Sequence, residues 1–219
     1  MTPYKITIHN EVLLLLPEKG IFWPREKTLI LSDLHLGKSG HFRKSGIAAP
    51  AQINATVLHD FESIILKYKP KKILILGDLF HSSANKEWFE FEEWRRRFNH
   101  ITFVLITGNH DLLEDTFYEE ADILCHKKRS KRSFCFVHNK DALQSLPVGQ
   151  VVISGHVHPG VVIKGKGRQS VRLPCFYISE NSITLPAFGL FTGLYTVRPD
   201  DVKQIYAIAD EEILKVDNA

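Results

Sequence analysis

The sequence predicts a mixed α/β (α+β) fold in which two packed mixed β-sheets carry helices on their outside. Three observations lead there: short β-branched runs alternate with amphipathic stretches in the first half, strand-like runs crowd the second half, and polar motifs sit where predicted strands end.

In the first half, Thr28–Leu31, Lys72–Leu76 and Ile101–Ile106 are short β-branched runs that read as buried strands. Helical patterns lie between them. Ile53, Val57, Phe61, Ile65 and Tyr68 repeat at helical spacing, and so do Trp88, Phe91, Trp94 and Phe98. Such aromatic stripes are core-packing surfaces first and binding surfaces second. In the second half, Ser133–Val137, Val151–Ser154, Val161–Ile163, Phe176–Ser179, Ser182–Leu185, Gly193–Val197 and Gln204–Ile208 are separated by Gly, Pro, Asn and Asp and read as strands joined by turns. No repeat, low-complexity tract or linker divides the chain, so residues 1–219 are expected to form one domain.

The composition is that of an ordinary globular protein, 44% hydrophobic and 24% charged. No run approaches the ~18 apolar residues of a membrane span. No signal-peptide pattern is present, and no membrane partner is expected. Cys125, Cys135 and Cys175 form no CxxC and are expected as buried small side chains in a reducing compartment, which points to the cytoplasm. Net charge is +3, unevenly spread. Six acids follow residue 199 against Lys203 and Lys215, leaving the preceding body with 26 basic and 19 acidic residues, a net of +7. Such a body weakly attracts polyanions.

Five motifs follow predicted strands: Asp33-Leu34-His35, Gly77-Asp78, Gly108-Asn109-His110-Asp111, His138, and Gly155-His156-Val157-His158. Ligands of α/β sheets gather beyond the carboxyl ends of strands, so these motifs can converge. Carboxylate, imidazole and amide oxygen without thiolate suit Mn, Fe or Zn. In an extended backbone, residues i and i+2 point to one side. Asp33 with His35, and His156 with His158, would then each address one cavity. The glycines before Asp78, Asn109 and His156 would permit sharp turns or close approach. Taken singly, DxH, GD and a lone histidine are common for structural reasons, and the ordered set carries the argument.

That order, DxH, GD, GNHD, H, GHxH, resembles the signature of calcineurin-like metallophosphoesterases over Asp33 to His158. The resemblance implies a four-layer αββα sandwich with a binuclear centre. One ion would be held by Asp33, His35, Asp78 and His158, the other by Asp78, Asn109, His138 and His156, with Asp78 bridging. Two divalent ions, Mn foremost, outweigh the two carboxylates and leave positive charge for a phosphoryl group, and a bridging hydroxide is the expected nucleophile. His110 becomes the candidate general acid or cationic stabiliser, with Asp111 expected to orient it and keep it protonated.

Gly77-Asp78-Leu79-Phe80-His81 is similar to the motif of double-strand-break repair nucleases in the same superfamily. That implies a role for His81 in placing a scissile DNA phosphate; the alternative is a histidine that only hydrogen-bonds a metal ligand. The stretch Leu15–Pro24 and the run Asp33 to Ile47 resemble bacterial ligase-associated DNA-damage-response endonucleases, implying DNA as substrate and a DNA ligase and helicase as associates. Lys38, Arg43 and Lys44 follow the first motif and are expected to rim the site as substrate-binding residues. Two further basic groups, Lys127, Lys128, Arg129, Lys131, Arg132 and Lys164, Lys166, Arg168, Arg172, fit either phosphate contacts or solvated loops. The leading expectation is a DNA phosphodiesterase. A small-molecule phosphatase or cyclic nucleotide phosphodiesterase is the alternative, and a non-catalytic scaffold the remote one.

Overall fold

The computed structural model describes residues 2–38, 52–81, 85–165, 169–190, 192–198 and 204–216. Its strands run in chain order as β1 (Tyr4–Ile8), β2 (Glu11–Leu15), β3 (Ile21–Trp23), β4 (Thr28–Leu31), β5 (Lys72–Ile75), β6 (Thr102–Ile106), β7 (Ile123–His126), β8 (Arg129–Lys131), β9 (Phe134–Phe136), β10 (Val151–Ser154), β11 (Pro159–Lys164), β12 (Ser170–Ile178), β13 (Ser182–Thr184), β14 (Tyr195–Thr196), β15 (Gln204–Ala209) and β16 (Glu212–Val216). The α-helices are α1 (Ile53–Tyr68), α2 (Lys86–Arg96) and α3 (Asp115–Glu120).

Among the described residues, the strands form a seven-stranded and a nine-stranded sheet, both mixed. The first has the order β1-β2-β3-β4-β5-β6-β7, antiparallel from β1 to β4 and parallel from β4 to β7. In the second, β14-β11-β12-β13-β10-β9-β8, the β9, β10 and β13 strands are parallel, and β15 with β16 extends from β12. The parallel blocks β4-β5-β6 and β9-β10 carry all five motifs.

Alternation along the strands builds the layers. Leu29, Leu31, Ile73, Ile75, Phe103 and Leu105 face the helices. Their neighbours Ile30, Leu74, Val104 and Ile106 face the second sheet, meeting Phe134, Phe136, Val151 and Ile153. On α1, Val57, Phe61, Ile64 and Ile65 are buried, and on α2, Trp88, Phe91 and Trp94. Each such side chain contributes ~1.5–3 kcal/mol of burial, which holds helices whose own propensity is modest. Asn85 caps α2 by accepting from the N–H groups of Glu87 and Trp88. Lys69 ends α1 in the left-handed conformation, with Pro70 behind it.

The sandwich of two mixed sheets agrees with expectation, with one refinement. Among the described residues, all three α-helices lie with the first sheet, and the outer face of the second carries the 3-10 turn Lys140–Ala142 where an α-helical layer was expected. The N-terminal strands β1 to β3 also exceed the expected set. Their hairpin turns on His9 and Asn10, both at positive φ, a two-residue connection that matches strand twist. Cys135 and Cys175 are buried and Cys125 half-buried; burial pushes the Cys175 thiol up to about 12. No helix of the described residues is long and apolar enough to cross a membrane.

Candidate metal centre

The motif loops leave β4, β5, β6, β9 and β10 at one end of the sandwich and lock together there. The backbone N–H of His156 donates to Asp33 Oδ2 at 3.0 Å, and His138 Nδ1 donates to the Leu76 carbonyl at 2.8 Å, so both contacts cross between the sheets. From behind, the N–H groups of Phe188 and Gly189 donate to the carbonyls of Ser32 and Asp33.

Two triads result. Ligand atoms of Asp33, His35 and His158 lie within 4.8 Å of one another, and so do those of Asp78, His138 and His156. Asp78 faces both: Oδ2 is 3.8 Å from His35 Nε2 and Oδ1 is 3.4 Å from His138 Nε2. Asn109 Oδ1 joins the second triad, 3.0 Å from His138 Nε2. All seven residues anticipated as ligands are therefore brought together, in the two groups expected.

Their chemistry fits a cation. A carbonyl only accepts, so the His138 proton sits on Nδ1, and in the neutral imidazole Nε2 presents a lone pair. That lone pair faces the Asp78 carboxylate, the Asn109 amide oxygen and His156 Nδ1 at 3.0–3.4 Å. Converging lone pairs repel unless positive charge lies among them, and a histidine anchored through its other nitrogen is the usual metal ligand. In the first triad, His35 and His158 oppose Nε2 to Nε2 at 3.3 Å. Asp33 Oδ1 is buried without a hydrogen-bond partner. Burial pushes His35 down to about 3 and lowers His156, so both rings are ready to coordinate. The donor set of carboxylate, imidazole and amide therefore fits a binuclear divalent centre.

The backbone route differs from expectation. Asp33, His35, Asp78, His156 and His158 all take φ between 50° and 71°, the left-handed region, so alternation along an extended strand is not what pairs Asp33 with His35 or His156 with His158. Left-handed non-glycine residues cost roughly 1–2 kcal/mol each, and such strain collects at functional sites. Loop-to-loop hydrogen bonds offset it: Asp33 N–H to the Gly77 carbonyl, His35 N–H to that of Asp78 and His81 N–H to that of Leu36, at 2.7–3.1 Å. The glycines supply space. A Cβ on Gly77 would lie 2.2 Å from His138 Nδ1, and one on Gly108 would lie 2.2 Å from Asp78 Oδ1.

Asp111 also departs from expectation. Oδ1 accepts the N–H groups of Leu79 and Phe80, and Oδ2 those of Asp78 and Gly108, at 2.8–3.3 Å. The carboxylate that was expected to orient the His110 ring is instead a clamp between two ligand loops. Burial pushes it up to about 6, against the pull of these backbone donors.

The His110 ring packs against His81 at a tilt of 36° and a centroid distance of 4.1 Å, and both rings edge His35. Lys38 stands close enough to Asp78 and Asp33 for their charge to raise its pKa, while burial lowers it more. Arg43 and Lys44 lie outside the described residues. The basic run divides: Lys131 and Arg132 pair with Glu26, and Arg129 contacts His126. Lys127 and Lys128 remain exposed beyond His126, which pairs with Ile106 beside the Asn109 loop. Lys166 and Arg168 lie outside the described residues.

Sequence reasoning missed two supports. The Ser32 hydroxyl donates to Asp33 Oδ2, and buried Asn54 on α1 accepts the Gly37 N–H at 3.2 Å. Asn54 carried a signal, a polar residue beside an apolar helical stripe; Ser32 carried none.

The crystal structure of Pseudomonas putida nuclease MPE is similar with a TM-score of 0.82 and 29% identity, over 97% of this chain and 100% of that one. The phosphoesterase Yfce from E. coli is similar more distantly, at 14% identity and a TM-score of 0.47 over 86% of this chain and 97% of that one. No curated protein sequence matches. The model of the family described as calcineurin-like phosphoesterase matches residues 26–166, a span holding both triads and the shared Asp78, and on that match the chain belongs to the calcineurin-like phosphoesterase family.

Proposed function

We propose that this protein is a DNA phosphodiesterase, cutting within strands in the service of repair. The observation that carries the reading is Asp78, with one carboxylate oxygen toward each triad, in a site flanked by Lys38, His81 and His110. Two divalent ions held by the triads, Mn foremost, would supply Lewis acidity and a water of lowered pKa. The chain's own residues do the rest. Lys38 attracts the anionic phosphodiester. His110 gives a proton to the leaving oxygen, and His81 supports the His110 ring, packed against it at a tilt. Asp111 keeps the ligand loops rigid, so geometry is set before substrate arrives. The basic body and the likeness to a nuclease support a polynucleotide over a small ester. A DNA ligase and a helicase are the proposed associates.

The test is incubation with Mn²⁺ and end-labelled single- and double-stranded DNA beside a panel of nucleotides and cyclic nucleotides. Internal cleavage of DNA is expected, and turnover of nucleotides alone would make the protein a small-molecule phosphoesterase. His110→Asn should keep its full metal content yet lose at least ~10²-fold in turnover, the lower bound for a general acid. Wild-type turnover in a fully loaded variant would remove His110 from the mechanism.

A further inference from the structure

The second sheet carries a groove of about 580 Å³ that the chemistry above leaves unused. Two of the ligand loops, together with β14, build its wall. Val157, one residue from His156 and one from His158, lines it. Lys140, two residues beyond His138, lines it from the 3-10 turn Lys140–Ala142. Tyr195 donates its backbone N–H to the His158 carbonyl at 2.9 Å, and β14 pairs with β11 directly after that histidine. Consecutive Cα atoms are ~3.8 Å apart, so the groove opens within one or two residues of His138, His156 and His158.

Its chemistry is specific. Lys140 and Arg198 bring two positive charges, against the exposed carboxylate of Asp141. Tyr195 is 66% exposed, an aromatic surface left in water beside those cations. Thr184 lines the groove with its hydroxyl buried and without a partner. An accessible aromatic ring interleaved with basic side chains is how proteins hold a nucleic-acid strand, the ring stacking on a base and the cations meeting the backbone.

We propose that this groove seats the nucleotide next to the scissile phosphate, with Tyr195 stacking on its base and Lys140 and Arg198 neutralising the flanking phosphates. The proposal rests on the reading of the protein as a nuclease and adds the subsite that reading lacks. A small diester engages the ligand loops alone, whereas a strand engages the groove as well. The groove therefore sets the preference for polymer over small ester.

The test compares the Mn²⁺-loaded wild type with Tyr195→Ala, Tyr195→Phe and the double variant Lys140→Ala/Arg198→Ala. The substrates are a DNA oligonucleotide and bis(p-nitrophenyl) phosphate. For Tyr195→Ala, the ratio of kcat/KM on the oligonucleotide to that on the small diester should fall about tenfold, within the range for loss of one base–aromatic stack. The fall should reside in KM, and Tyr195→Phe should restore it. In the double variant, the slope of log KM for the oligonucleotide against log salt should drop by about 1.4, at ~0.7 per single-strand phosphate contact. An unchanged ratio and slope in a protein that does cleave oligonucleotides overturns the groove alone. So does a parallel loss on both substrates that Tyr195→Phe fails to restore. Turnover of the small diester with no cleavage of any oligonucleotide by the wild type overturns the nuclease reading and the groove together.

Discussion

Asp78→Asn is expected to lower turnover by at least ~10³-fold, above the ~10²–10³ lost with a single electrostatic donor to a transition state. The reason is geometric. One oxygen of this carboxylate faces His35 and the other faces His138, so the substitution weakens both halves of the centre at once. Asparagine keeps one oxygen, which can still accept the His110 N–H, but it presents an amide NH₂ to the other half and removes a full negative charge. Removing a residue that merely hydrogen-bonds a ligand costs ~10–100-fold in metal affinity, so loss of a direct bridging ligand should exceed that. The fold should survive, because the Asp78 backbone N–H and carbonyl remain held by Asp111 and His35. Elemental analysis of metal per chain, turnover, and a thermal melt together read this out. A variant retaining two ions and wild-type turnover would show that Asp78 does not bridge.

Asp111→Ala is expected to give the largest loss of stability. Its carboxylate accepts four backbone N–H groups, from Asp78, Leu79, Phe80 and Gly108. Each donor left unpaired away from water costs ~1–3 kcal/mol, and water entering the gap recovers part of that. A net loss of about 3–5 kcal/mol follows, which at ~2–4 °C per kcal/mol for a chain of this size lowers Tm by roughly 10 °C. Metal should be lost as well, because the Asp78 and Asn109 loops are pinned by the same clamp. Asp111→Asn keeps an acceptor for one pair of donors and should melt between the two. Calorimetry with metal analysis decides. If Asp111→Ala melts with the wild type and stays loaded, the clamp contributes nothing.

These two residues mark where sequence reading succeeds and where it stops. Asp78 was legible as a candidate bridging ligand because the ordered set of motifs resembles that of a known family, which implies a shared carboxylate at that position. Asp111 lay in a motif and was assigned to its neighbour His110, the nearest partner in the chain. Its real partners at Asp78 and Leu79 lie 33 and 32 positions away, and they are backbone groups that carry no sequence signature. The His138 tautomer is set in the same hidden way, by the carbonyl of Leu76 62 positions away. The left-handed backbone of Asp33, His35, Asp78, His156 and His158 was equally hidden, since nothing but glycine announces positive φ reliably.

Helices α1 and α2 and the central strands were legible through their patterns, whereas α3 and strands β1 to β3 were not, because runs so brief do not stand out from loop. The helices' confinement to one side, among the described residues, also needed the structure, because periodicity shows that a face is apolar without saying which sheet covers it. By itself, then, the order of residue types determined the layered mixed-sheet architecture and the ligand set, since side-chain chemistry and hydrophobic pattern are local properties. Tertiary structure alone decided the left-handed backbone that aims those side chains, the clamp at Asp111 and the groove beside Tyr195. Each of these depends on loops distant in the chain meeting at one end of a sandwich, and on backbone groups that every residue possesses.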